Sequence, residues 1–140
     1  MRHLRHNKKF GRSKSHREAL IPMLVTGLIK SESITTTLEK AKEARQLAEK
    51  LVTKARAKNL ASRRLITSWL GDEAAAKKLI EQTTPTFGDR PGGYTRITKL
   101  GARRGDGAEM AILAWVTEKY EPKAAEAAPE AAETASEVSA

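Results

Sequence analysis

Apolar residues recur at helical spacing over much of positions 20–80 and then at strand density from position 94 onward. Leu20, Met23, Leu24, Gly27 and Leu28 follow Ser15-His16-Arg17-Glu18, a stretch of capping-box form that makes Ser15 the expected N-cap of a first helix. Pro22 lies inside that helix and lacks a backbone donor, so a kink or an irregular opening turn is expected. Ser33-Ile34-Thr35-Thr36-Thr37 is β-branched and reads as a strand feeding a second helix, with Thr36 and Glu39 as a second capping box. That helix shows Leu38, Ala41, Leu47, Ala48, Leu51, Val52 and Ala55 on one stripe, with Lys40, Glu43, Lys50 and Lys54 opposite, and is expected to end near Asn59. A third helix over 60–70 points Leu65, Ile66, Trp69 and Leu70 inward and stops at Gly71. Asp72 caps a fourth, with Ala75, Ala76, Leu79 and Ile80 inward, ending before Pro85.

The period then changes. Residues 87–93 form a Gly/Pro loop, 94–100 are rich in β-formers, and 101–107 make a basic, glycine-rich turn. Residues 110–117 are a continuous apolar run of strand length, the expected central buried strand. Together these predict an α+β domain: a small three-stranded sheet covered by about four helices. A basic arm (1–14) precedes the globular part (15–117), and a low-complexity tail (118–140) with Ala, Glu and Pro follows it, expected to be disordered.

Charge divides the chain. Residues 1–117 hold 24 basic and 11 acidic side chains, whereas 118–140 hold 2 and 6. The first seventeen residues alone carry seven Lys/Arg, all three histidines and no acid. Such a segment cannot bury enough apolar surface to offset its own ordering entropy, so a polyanion is its natural partner and orders it on binding. There is no cysteine, which removes disulfides, thiolate metal sites and Cys nucleophiles. No apolar run approaches the roughly 18 residues of a membrane helix, and the amino end lacks the apolar face of a transit peptide. A cytoplasmic protein without membrane contact is expected. Six aromatic residues are few for single-strand stacking platforms, which favours recognition of backbone and shape.

Catalysis finds little support. The histidines sit at 3, 6 and 16, in the arm, where no rigid general base can be held. No carboxylate or Cys beside His3 and His6 completes a metal set, so neither metal nor cofactor is expected. The segment 88–92 lacks the Lys-Ser/Thr of a phosphate-cradling loop, and the glycines of 101–107 suit a turn. Core carboxylates such as Asp72, Asp89, Asp106 and Glu109 are scattered, so neither an enzyme nor a small-molecule substrate is expected. Binding is better served. Arg2, Arg5, Lys8, Lys9, Arg12, Lys14 and Arg17 suit phosphate contacts, with His3, His6, Ser15 and His16 beside them. Arg63 and Arg64 lie on the polar side of the third helix. Arg90, Arg96, Lys99, Arg103 and Arg104 gather around the hairpin, although Arg90 could pair with Asp89 or Asp106 instead. Non-specific duplex DNA, as in nucleoid proteins, is the rival partner.

Several of these segments occur in a familiar order: the opening MRH, SHREAL at 15–20, ITTT at 34–37, KAKE at 40–43, NLASRR at 59–64, GDRPGGYTRITKLGARRGD at 88–106 and Met110-Ala111. In this order and spacing, residues 1 to 117 resemble the bacterial large-subunit ribosomal protein seventeen family. The resemblance implies a compact α+β domain that binds the large ribosomal RNA near the exit-tunnel side, beside ribosomal protein thirty-two. It implies a structural and assembly role. The chain departs from the family pattern at Gly107-Ala108-Glu109, where Asn-Ala-Pro is usual, and at Pro22.

Overall fold

The computed structural model describes residues 8–118. Expectations that fall on 1–7 or 119–140, including Arg2, His3, Arg5, His6 and nearly all of the acidic tail, lie outside the described residues. The elements follow as α1 (Lys14–Ser31), β1 (Ser33–Thr37), α2 (Leu38–Ala55), α3 (Leu60–Leu70), α4 (Glu73–Lys78), β2 (Thr95–Ala102) and β3 (Glu109–Trp115). The α+β class and the three-stranded sheet are as the residue pattern predicts. The sheet is antiparallel throughout in the order β1-β3-β2, so the apolar run of β3 is central. Ile34 and Ile97 both register with Leu113, one from each side.

Helices cover one face of this sheet. Ala111, Leu113 and Trp115 are buried beneath them, while Met110, Ile112 and Ala114, which alternate with them, are only half-buried. The core joins Val25, Leu28 and Ile29 of α1 to Ala41, Ala44, Ala48, Leu51 and Val52 of α2. Small alanines on α2 let its axis approach its neighbours closely. Phe87, Tyr94 and Trp115 close one end of the core, with ring centroids 5.0 and 5.7 Å apart. Trp115 Nε1 donates to the Leu28 carbonyl at 3.2 Å, which satisfies a buried donor and ties β3 to α1.

Helix ends differ from expectation in instructive ways. α1 starts at Lys14 with Ser13 as N-cap, so Ser15 is a helical residue and caps nothing. Thr36 is likewise inside β1, and Thr37 precedes α2 without a side-chain cap. Both motifs were displaced because the neighbouring structure claims their backbones first. α1 runs straight through Pro22, which costs it one backbone hydrogen bond but does not end it. α2 ends at Ala55, earlier than the polar composition of 56–59 suggests. Asn59 instead caps α3, its side chain accepting from the Ser62 amide at 2.7 Å. Asp72 caps α4 as expected, accepting from Ala75 at 3.1 Å. Beyond α4 the chain continues helically as a π-turn (Leu79–Thr83) and a short turn (Thr84–Thr86) that contains Pro85. The stop before Pro85 is thus corrected: the proline is accommodated in the first positions of the new turn, where its missing donor is not needed.

The expected inward set also needs amendment. Ile66 and Leu70 are buried, but Leu65 is 36% and Trp69 39% exposed, and Met23 on α1 is 71% exposed. α3 is shared between core and surface along a narrower stripe than its apolar residues imply.

Candidate nucleic-acid interface

The basic stretches singled out from the sequence reach the surface at three places. At the amino end, Phe10 and Gly11 both take left-handed backbone conformations (φ 53° and 61°), and the Arg12 amide donates to the Lys9 carbonyl at 3.1 Å. This reversal lays the chain against the helices, so that Lys8 pairs with Glu39 at the start of α2. The arm's last residues are therefore held in place, contrary to the expectation that the whole arm orders only on binding. Lys9, Arg12, Lys14, Ser15 and His16 are exposed, and Arg17 is half-buried. Lys14 and Glu18 approach to 4.0 Å, whereas Lys9, Arg12 and Arg17 have no ion-pair partner among the described residues.

The hairpin forms the second place. Alternation along β2 sends Ile97 to the core and Arg96 to the uncovered face. Arg96 donates to both carboxylate oxygens of Glu118, at 3.0 and 3.1 Å. Arg90 donates to the Glu118 carbonyl at 3.1 Å. The first acid of the tail thus sits on two of the arginines picked out from the sequence. In the turn, Arg103 forms a forked pair with Asp106 at 2.6 and 2.8 Å. The guanidinium, helped by the Ala108 amide, holds the Asp106 carboxyl far below the usual carboxylate range, and the carboxylate raises Arg103 in turn. Asp106 is therefore engaged by Arg103. Lys99 and Arg104 are exposed with no ion-pair partner among the described residues.

The third place is α3, where Arg63 meets Glu81 at 3.1 Å and Arg64 is exposed without an ion-pair partner among the described residues. Elsewhere Lys30 pairs with Asp72 at 2.7 Å, which, with the Ala75 amide, lowers that carboxyl below its ordinary value. Among the described residues no three His, Cys, Asp or Glu side chains gather as a metal site, and no helix is long and apolar enough to cross a membrane.

Residue-pattern reasoning found the cations but missed their acidic partners, since Glu118 and Glu81 are distant in sequence from Arg96 and Arg63. It also missed an open cleft of about 400 Å³ beside the arm, lined by Phe10 and Trp69 among others. The only signal for it was two aromatic residues, Phe10 and Trp69, lying before the 87–115 cluster.

Residues 20–116 match the family model described as Ribosomal protein L17. Several curated relatives carry the name large ribosomal subunit protein bL17. The one from Pelobacter propionicus is 43% identical over 127 residues, covering 91% of this chain and all of the relative. That from Desulforudis audaxviator is 52% identical over 106 residues, 76% of this chain and 95% of the relative. That from Myxococcus xanthus is 45% identical over 139 residues, 98% of this chain and all of the relative.

Proposed function

Because the chain belongs to the ribosomal protein L17 family, we propose that it is a structural part of the large ribosomal subunit that grips the large ribosomal RNA through its basic surface. The observation that carries the RNA contact is that, of the cations singled out from the sequence, Lys9, Arg12, Arg64, Lys99 and Arg104 are exposed without internal acid partners among the described residues. They come from three separate stretches of the chain, so one rigid domain presents them to a folded, phosphate-lined surface. Arg2, Arg5, His3 and His6 extend the same field along the arm. Specificity then follows from RNA shape, since a lysine or arginine on phosphate carries no base information. Binding in this way supports subunit assembly, with a protein of the ribosomal protein thirty-two family as a neighbour. The role is structural, with no chemical step assigned to any side chain.

The deciding experiment is competition at physiological salt between large ribosomal RNA and generic duplex DNA for the purified chain. Ribosomal RNA is expected to win, and the chain is expected to co-sediment with large subunits through a high-salt gradient. A preference for DNA would transfer the reading to a nucleoid protein.

A further inference from the structure

Three elements build the cleft beside the arm. α1 contributes Pro22, α2 contributes Leu47, α3 contributes Trp69, and the reversal before α1 adds Phe10. Its volume, about 400 Å³, falls within the roughly 300–1,000 Å³ of clefts that enclose a small organic group. Trp69 is 39% exposed, an expensive position for an indole unless something covers it. The remaining aromatic rings of the described residues, Phe87, Tyr94 and Trp115, are spent in the core. Polar residues ring the apolar wall with a definite sense. Arg17 and Lys50 supply cations in its lining, without ion-pair partners among the described residues. Glu18 and Glu43 supply carboxylates, which accept hydrogen bonds and repel phosphate.

We infer that this cleft receives a single unstacked nucleobase from the bound RNA, stacked on Trp69, with its flanking phosphates on Arg17 and Lys50. This rests on the RNA-binding reading above. A flat, apolar-faced group with a polar edge and an anionic backbone matches the lining on each count. An aromatic side chain offers a sequence-tolerant stacking face, and arginine or lysine neutralises the phosphates of a splayed nucleotide. The carboxylates of Glu18 and Glu43 select for a base with amino donors, such as guanine, over uracil. The cleft adjoins Lys8 and Phe10, so RNA lying along the arm passes its mouth.

The test uses the full chain and two short RNA duplexes, identical except that one carries a single bulged guanine. Trp115 is 8% exposed, so a change in tryptophan fluorescence on binding reports Trp69. Quenching is expected with the bulged duplex and not with the paired one, with a bulged uracil weaker than guanine. Trp69→Ala is expected to weaken binding of the bulged duplex by about 5- to 100-fold while leaving the paired duplex unchanged. Trp69→Phe keeps an aromatic face and should recover most of that loss, which separates stacking from a folding defect. Equal weakening on both duplexes, or none on either, overturns the proposal. So does a Trp69→Ala chain that binds RNA normally but releases a neighbouring protein from reconstituted subunits. Failure of both duplexes to bind the unaltered chain at low salt would instead remove the RNA-binding reading beneath it.

Discussion

At the hairpin, Arg96 and Arg103 are each held by a carboxylate, through Glu118 and Asp106, whereas Lys9 and Arg12 at the amino end have no ion-pair partner among the described residues. The two regions are equally basic by inspection and differ in what their charges are free to do. A cation already forked onto a carboxylate must exchange that partner before it meets a phosphate. Exposed pairs of this kind are worth about 0–1 kcal/mol, so the exchange is affordable but reduces the net gain. The acids also cancel much of the hairpin's field: Asp106, Glu109 and Glu118 stand against Arg96, Lys99, Arg103 and Arg104. Formal charge therefore overstates the hairpin and represents the amino end fairly. The hairpin's surplus goes into shape: Arg103 and Asp106 lock the turn, and Glu118 fastens the chain leaving β3 to β2.

Removal of the order that supports one region but not the other should have the largest effect. Trp115 anchors β3 through its ring contact with Phe87 and its bond to the Leu28 carbonyl. Trp115→Ala is expected to cost about 3–5 kcal/mol of stability in urea unfolding, and to disorder the hairpin with it. Replacing Arg2, Arg5, Lys9 and Arg12 together by alanine should leave the unfolding midpoint almost where it was. A comparable loss from both variants would show that the amino end is as integral to the fold as the sheet.

The second effect reverses that order and is read in salt. If each of those four cations holds one phosphate, their removal should flatten the slope of log K against log salt by about 3. The intact arm, with about six contacts, is expected to give a slope near −4 to −5. An unaltered slope in the fourfold variant would move the RNA contact away from the arm altogether.

Within the hairpin the comparison can be sharpened further. Lys99→Ala and Arg104→Ala should each take nearly one contact out of the salt slope, about 0.7–0.9. Arg96→Ala and Arg103→Ala should take less, because each also releases a carboxylate. Equal slopes from all four would mean that the ion pairs dissolve completely on RNA.

Much of this architecture was legible in the residues. The span of α3, the capping by Asp72, the stop at Gly71 (φ 68°) and the central position of β3 all follow from local signals: periodicity, an Asp before a helix, a glycine able to take a left-handed turn. The misplaced features share a different cause. Ser15 and Thr36 looked like caps because capping is a short-range pattern, but tertiary packing chose Ser13 and Thr37 as the boundaries. Trp69 and Leu65 looked buried because helical spacing gives a face and not the width of what covers it. The acid partners of the basic site were invisible for the same reason, since Arg63 and Glu81 meet only after α3 and the π-turn have folded together.

The smallest effect concerns acid. Asp106 is held below its ordinary value of 3.8 by Arg103, and Asp72 by Lys30. In both cases the folded chain resists protonation more than the unfolded chain does. Their contribution is thus complete above about pH 4 and is lost as the pH falls through the lowered values. Asp106 is exposed and Asp72 only half-buried, so screening keeps this contribution slight. The thermal stability of the unaltered chain should fall as the pH drops below about 4, and Asp106→Asn should remove part of that dependence while leaving Arg103 unpaired at neutral pH. The same variant frees a guanidinium at the hairpin turn and removes a negative charge beside Arg104. It should therefore steepen the salt slope of RNA binding as it relaxes the turn. That opposite movement of acid stability and RNA affinity is what an ion pair used for shape requires. If Asp106→Asn weakens RNA binding, the locked turn matters more to the RNA than the charge it gives up.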